Sequence, residues 1–167
     1  MPEIVFDCCV VSNFALAGTL GIPEALYKGR AYLTDFVAAE IMRGIQAGHS
    51  ALEAVPKAVR AGWLKETGLR TAEEKRLFGS LSRSLGLGEA SAIAIAKSRR
   101  FLFASDDRAA RAEAAARKVP ITGTLGILTR SVRRGFCDPR MADECLSRMV
   151  DAGFFSPVRS ISELIRE

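Results

Sequence analysis

Apolar residues along the chain fall into two patterns: short unbroken runs, and longer stretches in which they recur every three or four positions. The first run, Glu3 to Phe6 (EIVF), reads as a buried strand that ends on Asp7. The following VVSNFALAGTLGI has helical spacing. AYL, Ala31 to Leu33, predicts a brief extended stretch. Thr34 or Asp35 then caps a helix carrying Phe36, Val37, Ala39, Glu40, Ile41 and Ile45, stopped at Gly48. SALEAVPKAVRA is helical in pattern but interrupted by Pro56, and Gly62 leads into Trp63 and Leu64 as a short strand or turn. Thr71 and Glu74 have the spacing of a capping box at the head of a polar helix.

The second half is more regular. GEASAIAIAKS predicts a helix, FLFAS (Phe101 to Ser105) a buried strand, DDRAARAEAAARK a helix, VPIT a strand, and GTLGILTRSVRR a helix. Strands alternating with helices imply an α/β three-layer sandwich with a mainly parallel central sheet. The polar middle of the chain, about residues 50–86, is expected to be an inserted helical arm. The tail, about 138–167, is expected to hold one helix, an extended piece at Phe154 to Val158 and a final half-helix beginning near Ser160. The length of 167 residues fits one domain spanning 1–167. GTLGI occurs at both Gly18 to Ile22 and Gly123 to Ile127, but nothing around the two copies matches, so no internal repeat is inferred.

Charge adds a partner class. A net charge of +5 suits a polyanion such as a nucleic-acid backbone. The apolar N-terminal stretch lacks a basic leader and is interrupted by Glu3, Asp7 and Asn13, and no apolar run reaches the length of a membrane span. A soluble, cytoplasmic protein without membrane contact is expected. Cys8, Cys9, Cys137 and Cys145 include no C-x-x-C pair and read as small reduced thiols, the first two pointing to opposite faces of a strand-like stretch.

The acidic residues carry the candidate chemistry. Ligands bind at the C-terminal ends of strands in open parallel sheets. Asp7 ends the first strand and Asp106 and Asp107 end FLFAS, so neighbouring strands would bring these carboxylates together. Glu40 and Glu89 lie on the apolar sides of their helices. Two carboxylates at about 4 Å repel by roughly 4 kcal/mol at an effective dielectric of 20, so the group needs a counter-charge. No lysine adjoins these motifs, although Arg108 follows Asp107. All-oxygen ligation suits Mg²⁺ or Mn²⁺, whose coordination is commonly completed by substrate phosphates. Taken singly, each acid also suits a plainer role: Asp7, Asp106 or Asp107 as a helix cap, Glu89 as a partner of a helix dipole. A cysteine hydrolase would have to draw its base from His49, the only histidine, which is expected on the solvated surface.

The order and surroundings of these acids resemble the PIN-domain family, in particular its prokaryotic branch similar to VapC-type toxins. The matching pieces are IVFDCCVVSNF, FVAAEI, LGLGEASAIAIAKS, FLFASDDRAAR and VPITGTLGILTRSVRRG, spanning about Ile4 to Gly135. The resemblance implies a metal-dependent endoribonuclease with Asp7, Glu40, Glu89 and Asp107 as catalytic acids. Asp7, Glu89 and Asp107 would bind Mg²⁺ or Mn²⁺, with Asp106 beside them. The family's T-x-D turn is matched by Ser105-Asp106-Asp107, which ranks Asp107 above Asp106. The family's Ser/Thr after the first Asp is replaced by Cys8 and Cys9, leaving Ser12 and Asn13 as substitutes for the supporting hydrogen bond. RNA contacts are expected from Arg108, Arg111, Arg130, Arg133, Arg134, Ser12, Asn13 and the helix start at Thr124. Further implications are a small antitoxin protein occupying the groove and a homodimer to which Phe154 and Phe155 contribute. A non-catalytic module binding RNA or protein through the same groove is the alternative reading, and a phosphatase or flap nuclease a third.

Overall fold

Ile4 and Phe6 face one side of the first strand and Val5 the other, and each side has its own core. In a computed structural model that describes residues 1–166, this strand, β1 (Ile4–Phe6), is the middle of a five-stranded sheet. Its companions are β2 (Ala31–Thr34), β3 (Leu64–Thr67), β4 (Leu102–Ala104) and β5 (Ile121–Thr122). The order is β3-β2-β1-β4-β5, and every pairing is parallel. Phe6 is in register with both Leu33 and Ala104, so β1 and β4 end level with one another and β2 runs one residue further, to Thr34.

Among the described residues ten α-helices cover the sheet. α5 (Ala72–Leu81), α6 (Leu87–Arg99) and α7 (Arg108–Ala116) close over Val5 and Phe103, with Ala90, Ile93, Ala110 and Ala114 fully buried. On the Ile4 and Phe6 side lie α1 (Cys8–Leu16), α2 (Gly21–Tyr27), α4 (Ala54–Ala61), α8 (Thr124–Arg133) and α9 (Pro139–Asp151). Phe14, Tyr27, Ile127 and Leu128 pack there. α3 (Asp35–Gln46) bridges α1 and α6, and α10 (Ser162–Ile165) lies against α8. The arrangement is the three-layer α/β sandwich expected from the sequence.

Local capping explains several boundaries. Thr34 accepts the Val37 amide at 3.1 Å, and Thr71 and Glu74 form a reciprocal capping box. The single helix expected after β1 is instead two. Gly18, at φ +68°, ends α1 with its amide on Ala15 and the Thr19 amide on Phe14, and α2 restarts at Gly21. The middle of the chain also departs from a purely helical arm. Pro56 falls in the first turn of α4, where its missing N–H costs nothing, and Leu64–Thr67 joins the sheet as an edge strand. Buried Glu74 pairs with Arg99 at 2.8 Å, and Arg99 also donates to Thr67 Oγ1 and the Gly68 carbonyl, tying this region to α6. Burial opposes the charge of Glu74, but Arg99 and the amides of Arg70 and Thr71 outweigh it and hold the carboxyl down to about 2. Phe154 to Val158 is irregular, not a strand, and Glu167, the end of the expected tail, lies outside the described residues.

Candidate active site

Asp7 stands where β1 gives way to α1, extended at φ −75° and ψ 157°, with its side chain turned into the protein and only 3% exposed. Oδ1 accepts the Cys8 amide at 2.6 Å. Oδ2 accepts the Ser105 hydroxyl at 2.8 Å and the Cys9 thiol at 3.2 Å. The supporting hydrogen bond, expected from Ser12 or Asn13, therefore comes from the Ser105 hydroxyl at the end of β4. The signal for it was the first position of the S-x-D turn, which a strand neighbouring β1 brings against Asp7.

Glu40 reaches the same place from α3 because residue 88 is glycine. A Cβ there would lie 2.7 and 2.8 Å from the Glu40 carboxylate oxygens. Glu89 follows in the first turn of α6, its Oε2 accepting the Gly86 amide at 3.3 Å. Asp107 is exposed and caps α7 through the Ala110 amide at 2.8 Å, and its own amide donates to Ser105 Oγ at 3.1 Å. Ser105 thus links the loops that present Asp7 and Asp107.

Asp7, Glu40 and Glu89 are perturbed by burial and by the charges of their acidic neighbours. Burial, opposed by its hydrogen bonds, raises the Asp7 carboxyl, and the Asp107 charge adds to the rise. Burial and Asp7 raise Glu40, with Arg43 one turn on offsetting part of it. Glu89 is pushed up to about 7 by burial and by the charges of Asp7, Asp107 and Glu40. Among the described residues none of the four takes part in an ion pair. A set of oxygen donors without an ion-pair partner is the chemistry that a hard divalent cation satisfies. The side chains are not closed into a finished shell, since among the described residues no group of three or more His, Cys, Asp or Glu is arranged to hold a metal ion.

Asp106 has a different setting. Its Oδ1 accepts the Thr124 amide at 2.9 Å, and its Oδ2 accepts the Thr124 hydroxyl at 2.6 Å and Asn13 Nδ2 at 3.2 Å. Asn13 also donates to Thr124 Oγ1 at 3.0 Å. Asp106, Asn13 and Thr124 form a lock between α1, β4 and the head of α8. Gly123 is required there, because a Cβ would collide with Asp106 Oδ1. Arg111 belongs to the same lock, donating from Nη1 to the carbonyls of Ser105 and Thr122. Ser12 is half-buried beside Cys8, its oxygen 3.7 Å from the thiol sulfur.

Arg108 opens α7 beside Asp107 and is exposed. Arg130, Arg133 and Arg134 do not join it. α8 runs back along the sheet, so they line a basin with Met1 and Leu164, away from the acids. Cys8 and Cys9 sit in the first turn of α1, half-buried, not on opposite faces of a strand. Burial and nearby acids push Cys8 up to about 11 and Cys9 higher, so neither is poised as a thiolate nucleophile. His49 is exposed at the start of a 3-10 turn.

The acids line a groove of about 740 Å³ whose mouth is flanked by Phe154 and Phe155, the latter 89% exposed. An all-parallel sheet with a carboxylate groove at the C-terminal ends of its central strands defines an α/β domain whose ligand site lies at that end of the sheet. A family model described as a PIN domain matches residues 3–167, and the chain belongs to the PIN-domain family. Members of that family are generally nucleases. No curated protein and no solved structure matches the chain. Among the described residues no helix is long and apolar enough to cross a membrane.

Proposed function

We propose that this PIN domain is a metal-dependent endoribonuclease, the toxin of a toxin–antitoxin pair. The observation that carries the reading is the convergence of Asp7, Glu40, Glu89 and Asp107 on one groove, none of them in an ion pair among the described residues. Asp7, Glu89 and Asp107 would hold Mg²⁺ or Mn²⁺, with Glu40 completing the acidic wall. When bound, such an ion supplies Lewis acidity and a water of lowered pKa for phosphodiester hydrolysis.

The protein's own groups do the rest. Ser105 and Cys9 fix the Asp7 carboxylate, leaving it lone pairs toward the groove. Glu89 accepts the Gly86 amide at Oε2, which orients its carboxylate at the head of α6. Asp106, bound to the head of α8, sets the loop that carries Asp107. Arg108 stands at the rim to meet a phosphate. The groove's negative charge suits an antitoxin segment carrying a basic residue.

The test is RNA cleavage with Mg²⁺, with EDTA, and with Asp7→Asn. Cleavage with Mg²⁺ alone, lost in the other two conditions, is expected. Activity surviving both EDTA and Asp7→Asn contradicts the reading. One observation favours a second reading, a non-catalytic module that binds RNA or protein: the acids are not drawn into a ready coordination shell. Absence of divalent binding in a calorimetric titration, together with absence of cleavage, would select it.

A further inference from the structure

The last turn of α8 and the residue after it present Arg130, Arg133 and Arg134, which at spacings of three and four share one face of the helix. They line a basin of about 740 Å³. Thr129 lines it as well. This residue is 8% exposed, and its hydroxyl oxygen is buried without a hydrogen-bond partner. A buried hydroxyl with nothing to bond carries a cost that a ligand oxygen would relieve. Arg133 keeps one bond, from Nη2 to the Leu164 carbonyl at 3.3 Å. Among the described residues none of the three arginines forms an ion pair.

The basin is linked to the carboxylate groove by a third depression of about 390 Å³. That depression shares Asp106, Phe154 and Phe155 with the acid groove, and Thr122 and Gly126 with the basin. The three form a track over the head of α8 and down its length. With 10 residues, α8 is about 15 Å long, the length of roughly four stacked nucleotides at 3.4 Å each.

We infer that the arginine basin is a second binding site for the RNA strand, taking backbone phosphates a few nucleotides from the bond that is cut. The inference rests on the nuclease reading and assigns its substrate a single-stranded stretch lying along α8. Charge supports this. The acid groove by itself repels phosphate, so a strand entering it gains from a cationic anchor further along. Guanidinium forks match phosphate oxygens, and Thr129 offers a hydroxyl donor beside them. Phe155, standing between groove and depression, offers an aromatic face on which an unpaired base can stack.

The test is binding of end-labelled single-stranded RNA by fluorescence anisotropy in EDTA, where cleavage does not intervene. RNAs of about four and about twelve nucleotides are compared, the shorter unable to span groove and basin together. The triple substitution Arg130→Gln, Arg133→Gln, Arg134→Gln should weaken the long RNA at least about tenfold. It should also lower the slope of log affinity against log salt by about 2, at roughly 0.7 for each phosphate no longer neutralised. Thr129→Val should weaken it in the same direction, lysine at the three positions should restore most of the affinity, and the short RNA, which in EDTA has only the basin to attract its phosphates, should lose binding as well. Unchanged affinity and slope for the long RNA would overturn the inference. So would binding of the short RNA that the substitutions leave unchanged, or a preference of the basin for polyglutamate over RNA at matched ionic strength. Should wild-type protein bind as expected but cleave nothing with Mg²⁺, the nuclease reading fails while the basin assignment stands.

Discussion

The Ser105 hydroxyl donates to Oδ2 of Asp7 at 2.8 Å across 98 residues of chain, and the same oxygen accepts the Asp107 amide at 3.1 Å. One fully buried side chain therefore sets the distance between two acids on adjoining strands. Removing it should disturb the site more than the fold. Ser105→Ala is expected to weaken Mn²⁺ binding by calorimetry at least about tenfold, the scale typical when a hydrogen bond supporting a metal ligand is removed. The cost in unfolding free energy should be about 1–3 kcal/mol. Ser105→Thr should keep most of the affinity.

Asp106 and Asp107 are neighbours with separate tasks. Asp106 accepts three hydrogen bonds that fasten the head of α8, and Asp107 is exposed at the groove. Asp106→Ala should lower stability by about 2–4 kcal/mol in chemical denaturation, because Thr124 and Asn13 lose their acceptor. Asp107→Asn should leave stability within about 1 kcal/mol and abolish divalent binding. The opposite pattern would exchange their roles.

Gly88 tests the placement of Glu40. Gly88→Ala puts a methyl group against the Glu40 carboxylate within α6, where alanine is otherwise the better helix residue. Cleavage should fall at least about tenfold while the thermal midpoint stays level or rises.

Crowded carboxylates give the metal-free protein a characteristic pH dependence. Asp7, Glu40 and Glu89 all have raised folded-state pKa values, Glu89 to about 7. The folded state then binds more protons than the unfolded state, and stability falls as pH rises from the ordinary carboxylate range through about 7. Glu74, held down to about 2, acts in the opposite sense but only at lower pH. In EDTA the thermal midpoint should be higher at about pH 6 than at about pH 8. Glu89→Gln should flatten the difference, and saturating Mn²⁺ should raise the midpoint most at the higher pH.

Much of this architecture was legible because its signals are local. A capping threonine before α3, the Thr71 box, and the apolar run that becomes β4 need no knowledge of the rest of the chain. The acids at the ends of β1 and β4 were readable for the same reason, once parallel strands are assumed to end level. The missed features depend on the tertiary path. β3 reads poorly as a strand because, at the sheet edge, Lys65 and Glu66 face solvent. Arg130 to Arg134 follow the acids closely in sequence, but α8 carries them away as it descends. Asn13, Thr124 and Arg111 looked free to meet RNA, but the donors of Asn13 and Thr124 are spent on Asp106 and Thr124, and Nη1 of Arg111 on the carbonyls of Ser105 and Thr122.

The most direct measurement is the rate at which a single-stranded RNA blocked at both ends is cut as Mn²⁺ is raised from zero. Internal cleavage should be absent without the ion, rise to saturation with it, and vanish in Asp7→Asn and Asp107→Asn. A rate that ignores Mn²⁺ and survives both substitutions would contradict a carboxylate-held metal as the source of the activity.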